Sequence, residues 1–167
     1  VLQYAEPLKN HGFNFMDSPG YDPVSATGQV ASGANMICFT TGRGSVFGCK
    51  PAPSIKLATN SMLFKRMPDD MDINCGTVIE GSETVQACGE RIFKLILDTA
   101  DHCKKLNNFN GVMEIVSGLN SSASFRLRKT WGAIGKAYEQ KFEDLKEQLE
   151  IAETTMTEQN SLILQMQ

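Results

Sequence analysis

Residues 16–60 read MDSPGYDPVSATGQVASGANMICFTTGRGSVFGCKPAPSIKLATN. This stretch holds six of the chain's fourteen glycines and four of its six prolines, with small and hydroxyl residues set around Arg43 and Lys50. Glycine lets backbone amides approach a ligand closely where a side chain would block them, so the composition predicts backbone shaped around a small polar molecule. Ser18-Pro19-Gly20 is a turn signal that closes a short strand over residues 13–16. Asp22-Pro23 reads as a helix start, because Asp caps free amides and proline at the first helical position has no N–H to satisfy. The small residues that follow suit close packing against a sheet. Residues 36–39 form an apolar run expected to be a buried strand. Thr40-Thr41-Gly42-Arg43-Gly44 then falls at that strand's carboxyl end, where open α/β sheets bind ligands.

Outward from this stretch, residues 54–59 and 73–78 are further strand candidates. Residues 1–81 therefore read as a partial layered α/β unit of sheet and helix. From Ser82 the apolar residues Val85, Cys88, Ile92, Leu95 and Ile96 recur at helical spacing. Neither proline nor glycine lies between Glu90 and Asn110. Continuing a helix adds one hydrogen bond per residue, whereas restarting one needs a new nucleus. A single helix from Glu83 to Gly118 is expected, about 54 Å long at 1.5 Å per residue. Leu106, Phe109, Met113 and Val116 share one face of it and are expected in the core. From Tyr138 the residues Phe142, Leu145, Leu149, Ala152 and Met156 step by four and three, a heptad seam that predicts weak homodimerisation through residues 138–166.

A chain of 167 residues holds one ordinary core or two small ones. Its formal charge of −3 gives no electrostatic reason to expect nucleic acid or an anionic membrane surface. No apolar run approaches the roughly 20 residues that cross a bilayer. Five cysteines without a CxxC pair point to reduced thiols and a cytoplasmic location, and paired zinc spacing is missing.

The stretch at 16–60, continued by Met67-Pro68-Asp69-Asp70-Met71-Asp72-Ile73-Asn74-Cys75-Gly76, resembles the sugar-acid dehydratases of the altronate and galactarate family. The likeness fades near Thr99. It implies dehydration of a sugar acid to a 2-keto-3-deoxy acid, with a divalent metal, commonly iron. Such a reaction needs a cation for the substrate carboxylate, a base, and help for the departing hydroxide. Arg43 is the best carboxylate clamp, and Lys50 and Lys56 are candidate catalytic cations or bases. Thr40, Thr41, Gly42, Gly44, Ser45, Gly48 and Gln29 are expected to contact substrate. Asp17 and Asp22 are candidate oxygen ligands, although Asp22 reads more plainly as a helix cap and Cys49 and Cys75 as small buried residues. His11 is expected at the surface. No His-rich or clustered-carboxylate metal site appears in residues 1–99, so the ligands stay unknown and the segment is expected to be inactive alone.

Residues 101–131, with Asn107-Asn108-Phe109-Asn110 and Phe125-Arg126-Leu127-Arg128-Lys129-Thr130-Trp131, resemble the catalytic domain of Ras-type guanine-nucleotide exchange factors. That likeness implies a Ras-like GTPase as partner, with Asn110 as the contact, but lacks the hairpin that expels nucleotide. The chain thus reads as a dehydratase-like segment (1–99), an exchange-factor-like helical segment (100–135) and a heptad-patterned helix (136–167). A purely structural helical protein is the remaining alternative.

Overall fold

A computed structural model describes residues 1–10, 12–106, 109–120 and 128–165. Strands β1 (Ile37–Thr41), β2 (Ser54–Ala58) and β3 (Ile73–Asn74) form a parallel sheet in the order β1-β2-β3. Ile37 lies opposite Ser54, Thr41 opposite Ala58 and Leu57 opposite Ile73. Because all three run the same way, their carboxyl ends gather at one edge. The strand expected at 73–78 stops at Asn74. Cys75 leads instead into the short helix α3 (Gly76–Ile79), and Arg91 takes the Asn74 carbonyl at 2.8 Å. At residues 13–16 only Met16 pairs, in an isolated bridge with Leu2.

Helix α1 (Asp22–Ala31) begins where the Asp-Pro pair predicts, but its N-cap is Tyr21, with no side-chain cap bond. Asp22 stands inside the first turn, where a carboxylate favours the positive end of the helix dipole. Its small residues make room for the amino-terminal segment. A Cβ on Gly28 would collide with the Tyr4 ring, whose hydroxyl donates to the Val24 carbonyl at 2.8 Å. Helix α2 (Ser61–Arg66) is capped by Asn60, whose side-chain oxygen accepts from the Leu63 amide at 2.8 Å.

The organising element is α4 (Val85–Lys105), started by Thr84, which accepts from the Ala87 amide at 3.1 Å. One face, with Ile92, Leu95 and Ile96, packs on Ile55, Leu57 and Ile73 of the sheet. Phe93, Leu97, Ala100 and Cys103 of the same helix enter a second, helical core with residues of α5 (Phe109–Leu119), α6 (Arg128–Ile134) and α7 (Lys136–Gln165), and Ile96 borders both cores. Trp131 sits between Phe93 and Phe142, with both ring centroids 4.8 Å away. Lys141 closes the flank of this bundle on Asp98 at 2.7 Å and Asp101 at 3.6 Å.

The single helix expected from Glu83 to Gly118 is two. Helix α4 passes unbroken through residues 99–103 but ends at Lys105, and α5 packs back against it. Asn107 and Asn108 lie outside the described residues, but asparagine is a poor helix former. The return buries Val112, Ile115, Val116 and Leu119. At about 1.5–3 kcal/mol for each fully buried aliphatic side chain, that outweighs the cost of a second nucleus. The core face is accordingly not the one expected. Val116 is buried, whereas Leu106 is 79 % exposed and Met113 36 %. The tail's seam is likewise spent within the chain in its first half, since Phe142 and Leu145 are buried against α4 and α5. Gly135, with a φ of 86°, supplies the left-handed residue that separates α6 from α7.

Candidate functional site

The loop after β1 is shaped by its neighbours at the sheet's carboxyl edge. The Thr41 carbonyl accepts from the Thr59 amide at 3.0 Å and from its hydroxyl at 3.2 Å. Asn60 donates to the Gly42 carbonyl at 3.0 Å, and Arg66 to the Arg43 carbonyl at 2.7 Å. The Gly44 amide donates to the Thr41 hydroxyl at 3.1 Å, so these two groups satisfy each other. Gly44 has a φ of 107°, a conformation that favours glycine. The loop then turns so that the Ser45 hydroxyl donates to the Asp22 carboxylate at 3.0 Å. Lys56 rises from β2, donates to the Ser45 carbonyl at 3.1 Å and lies 3.7 Å from Asp70, with its side chain only 12 % exposed.

This folding divides the expected contact residues around Asp22. On one side a hollow of about 510 Å³ is lined by Arg43, Gly44, Ser45 and Met67. On the other, a hollow of about 300 Å³ is lined by Ser25, Gln29 and Thr40. Asp22 lines both. Arg43 and Thr40 are exposed, and Gln29 donates to Ser25 at 3.4 Å. Gly48 and Lys50 lie farther along the loop, exposed and outside either hollow. Asn110 belongs to α5, its side chain outside the described residues, as is His11.

A second polar network at the same edge has no counterpart in the expected site. Arg91 grips Glu83 through two nitrogens at 2.8 and 2.7 Å and the Asn74 carbonyl at 2.8 Å. Thr77 adds a bond to Glu83 at 2.6 Å. The Arg91 guanidinium, with Thr77, holds the Glu83 carboxyl down to about 2, and Glu83 in turn raises Arg91. Asn74 also accepts from the Gly76 amide at 2.9 Å and donates to the Ser61 hydroxyl at 2.9 Å. The sequence signal for this network is slight: an acidic and a basic residue eight apart across a helix start. Burial, aided by a hydrogen bond with Cys88, pushes the Cys75 thiol up to about 11. Cys75 is half-buried and packs beside Ile55, Leu57 and Ile73. Among the described residues no three His, Cys, Asp or Glu side chains converge to hold a metal, so they do not fit the divalent ion that the resemblance implies. No described helix is long and apolar enough to cross a membrane.

Two family models match the chain. That for D-galactarate/Altronate dehydratase, C-terminal, covers residues 1–121, and that for the RasGEF domain covers residues 80–163. Both matches include α4. Galactarate dehydratase (L-threo-forming) of Escherichia coli (strain K12) is 42% identical over 105 residues, 63% of this chain and 20% of that protein. Altronate dehydratase of Bacillus subtilis (strain 168) is 39% identical over 80 residues, 48% of this chain and 16% of that protein. Ras guanine nucleotide exchange factor Y of Dictyostelium discoideum is 55% identical over 47 residues, 28% of this chain and 3% of that protein. The chain spans about a fifth of the length of the E. coli galactarate dehydratase and a far smaller share of the exchange factor.

Proposed function

Because the chain belongs to the D-galactarate/altronate dehydratase C-terminal family through residues 1–121 and to the RasGEF domain family through residues 80–163, we propose that its α/β half is a substrate-contact segment of a sugar-acid hydro-lyase. The observation that carries this reading is the placement of Arg43 on one side of Asp22 and of Gln29 and Thr40 on the other. Dehydration breaks the C–H bond alpha to the carboxylate and the neighbouring C–O bond, forms a C=C bond and releases water. The enol then becomes a 2-keto-3-deoxy acid. Arg43 binds the substrate carboxylate through its planar fork and disperses the charge that builds there as the proton leaves. Ser45, Thr40 and Gln29 hold sugar hydroxyls, and Thr41, Gly42, Gly44 and Gly48 shape the loop that presents them. Lys56, fixed on Ser45, positions that loop, while Lys50 offers an exposed cation at its far end. The divalent metal implied by the resemblance finds no ligand set among the described residues, and no step here passes through it.

Galactarate titrated into the chain and followed by NMR tests the reading. Shifts confined to residues around Asp22, with affinity reduced about ten-fold or more by Arg43→Ala, are expected. Absence of any such shift defeats it. The chain alone, with ferrous iron added, is expected to form no keto acid, because the described residues hold no metal set. Turnover abolished by Arg43→Ala would overturn that expectation.

The identity of 55% over 47 residues supports a second reading for the helical half, a Ras-like GTPase contact through α5 with Asn110. Capture of a nucleotide-free Ras-like GTPase without faster nucleotide release is the expected result. Unchanged capture by Asn110→Ala would remove Asn110 from the contact.

A further inference from the structure

Cys75 follows β3 directly, and Cys88 lies in the first turn of α4. Their two thiols are in hydrogen-bond contact. One nitrogen of Arg91 ties the surroundings of both together, 2.8 Å from the Asn74 carbonyl and 3.9 Å from the Cys88 sulfur. Cys75 is held on the sheet side. Its amide donates to the Ala58 carbonyl at 2.8 Å, and the next residue, Gly76, is pressed against the backbone of Ser61. Solvent reaches the half-buried Cys75, whereas Cys88 is 5 % exposed. The remaining cysteines lie elsewhere: Cys38 in β1, Cys49 in the loop that follows it and Cys103 near the end of α4.

We propose that Cys75 and Cys88 form a redox-modification site, at which hydrogen peroxide closes a disulfide that fastens the start of α4 to the sheet and a dithiol reopens it. The first step falls to Cys75, the thiol that solvent reaches. Its thiolate attacks a peroxide oxygen, an S–O bond forms, the O–O bond breaks, and the departing hydroxide takes up the thiol's proton and leaves as water. The Cys88 sulfur then attacks the sulfenic sulfur. An S–S bond forms, and the expelled hydroxide leaves as water with the Cys88 proton. Two thiols thus lose two electrons, and one peroxide gains them as two waters. Burial raises the Cys75 thiol, which slows the first step. The second is fast because Cys88 already stands in contact, and a resolving thiol within reach is what turns oxidation into a reversible disulfide instead of a sulfinic acid. Bonded sulfurs stand about 2.05 Å apart, so closure draws the first turn of α4 toward the sheet's carboxyl edge, where Cys75 is fixed. The same helix enters the helical core, so the bond secures the link between the two cores.

The full chain, treated with excess hydrogen peroxide, alkylated and cut after Glu80 and Glu83 without reductant, reports the pairing by mass. A Cys75–Cys88 link in most molecules is expected, and dithiothreitol should remove it. The linked chain should melt about 5 °C above the reduced one. Cys88→Ser should leave Cys75 as a sulfenic acid that dimedone labels. Cys75→Ser should abolish the link and the melting shift together. Peroxide added in urea is the control for chance pairing, since any of the five cysteines can then meet. No link in the native wild-type chain, or pairing there as scattered as in urea, overturns the proposal. So does a closed link that leaves the melting midpoint unchanged, because the bond would then fasten nothing.

Discussion

Gly76 has no room for a side chain. A Cβ there would run into the backbone of Ser61 and come within 2.6 Å of the Asn60 carbonyl carbon. Backbone cannot swing aside as a flexible side chain can, so Gly76→Ala is expected to lower stability by about 1–3 kcal/mol in urea unfolding. Glu83 makes a different prediction. Its folded pKa of about 2 lies below its ordinary 4.5, so its bonds to Arg91 and Thr77 stabilise fully above the ordinary value and are lost as pH falls from there toward 2. Glu83→Gln should flatten the acid limb of stability in that window and leave neutral-pH cooperativity intact, as followed by circular dichroism. Neither residue stands out in the sequence, because what matters at each is a neighbour distant along the chain. The place of the Arg43 loop after β1 was legible, since an apolar run passing into glycine and hydroxyl residues reports on local backbone. Asp22 was misjudged for the opposite reason: its carboxylate finds Ser45, 23 residues away, instead of its own helix amides.

At the scale of elements, α4 was visible by its spacing and its length was not. Ile92, Phe93, Leu95, Ile96 and Leu97 crowd apolar residues onto more than one face, which is the mark of a helix buried on two sides. Following a single register through Leu106 and Met113 missed the stripe of Val112, Ile115, Val116 and Leu119 that folds back. Periodicity reports which face is apolar but not which partner covers it. The tail carries the same lesson, because a heptad seam looks alike whether a second chain or its own bundle fills it. Leu97 and Leu145 are 0 % and 1 % exposed, so Leu97→Ala or Leu145→Ala should each cost about 2–5 kcal/mol. Leu145→Lys should melt the helical signal of α7 instead of shifting an association equilibrium. Sedimentation and far-ultraviolet circular dichroism on the same sample distinguish the two.

For the whole molecule, α4 runs unbroken through residue 99, where one family resemblance gives way to the other. Both family matches include α4, and that helix contributes side chains to the sheet's core and to the bundle's core alike. Met36, at the start of the sheet, also packs against both. An α/β unit followed by helices was readable from composition and spacing, but the merging of the two cores was not, because it depends on adjoining side chains of one helix finding different partners.

A helix held from two sides has no private unfolding reaction. To expose Leu97 the molecule must give up the bundle, and to release Ile92 it must give up the sheet, so amides along the middle of α4 should exchange with solvent only through the rarest opening the chain makes. Deuterium uptake there, compared with the outer turns of α7, would time that event. Loosening either flank by substitution should accelerate exchange in the shared helix before it reaches the other flank.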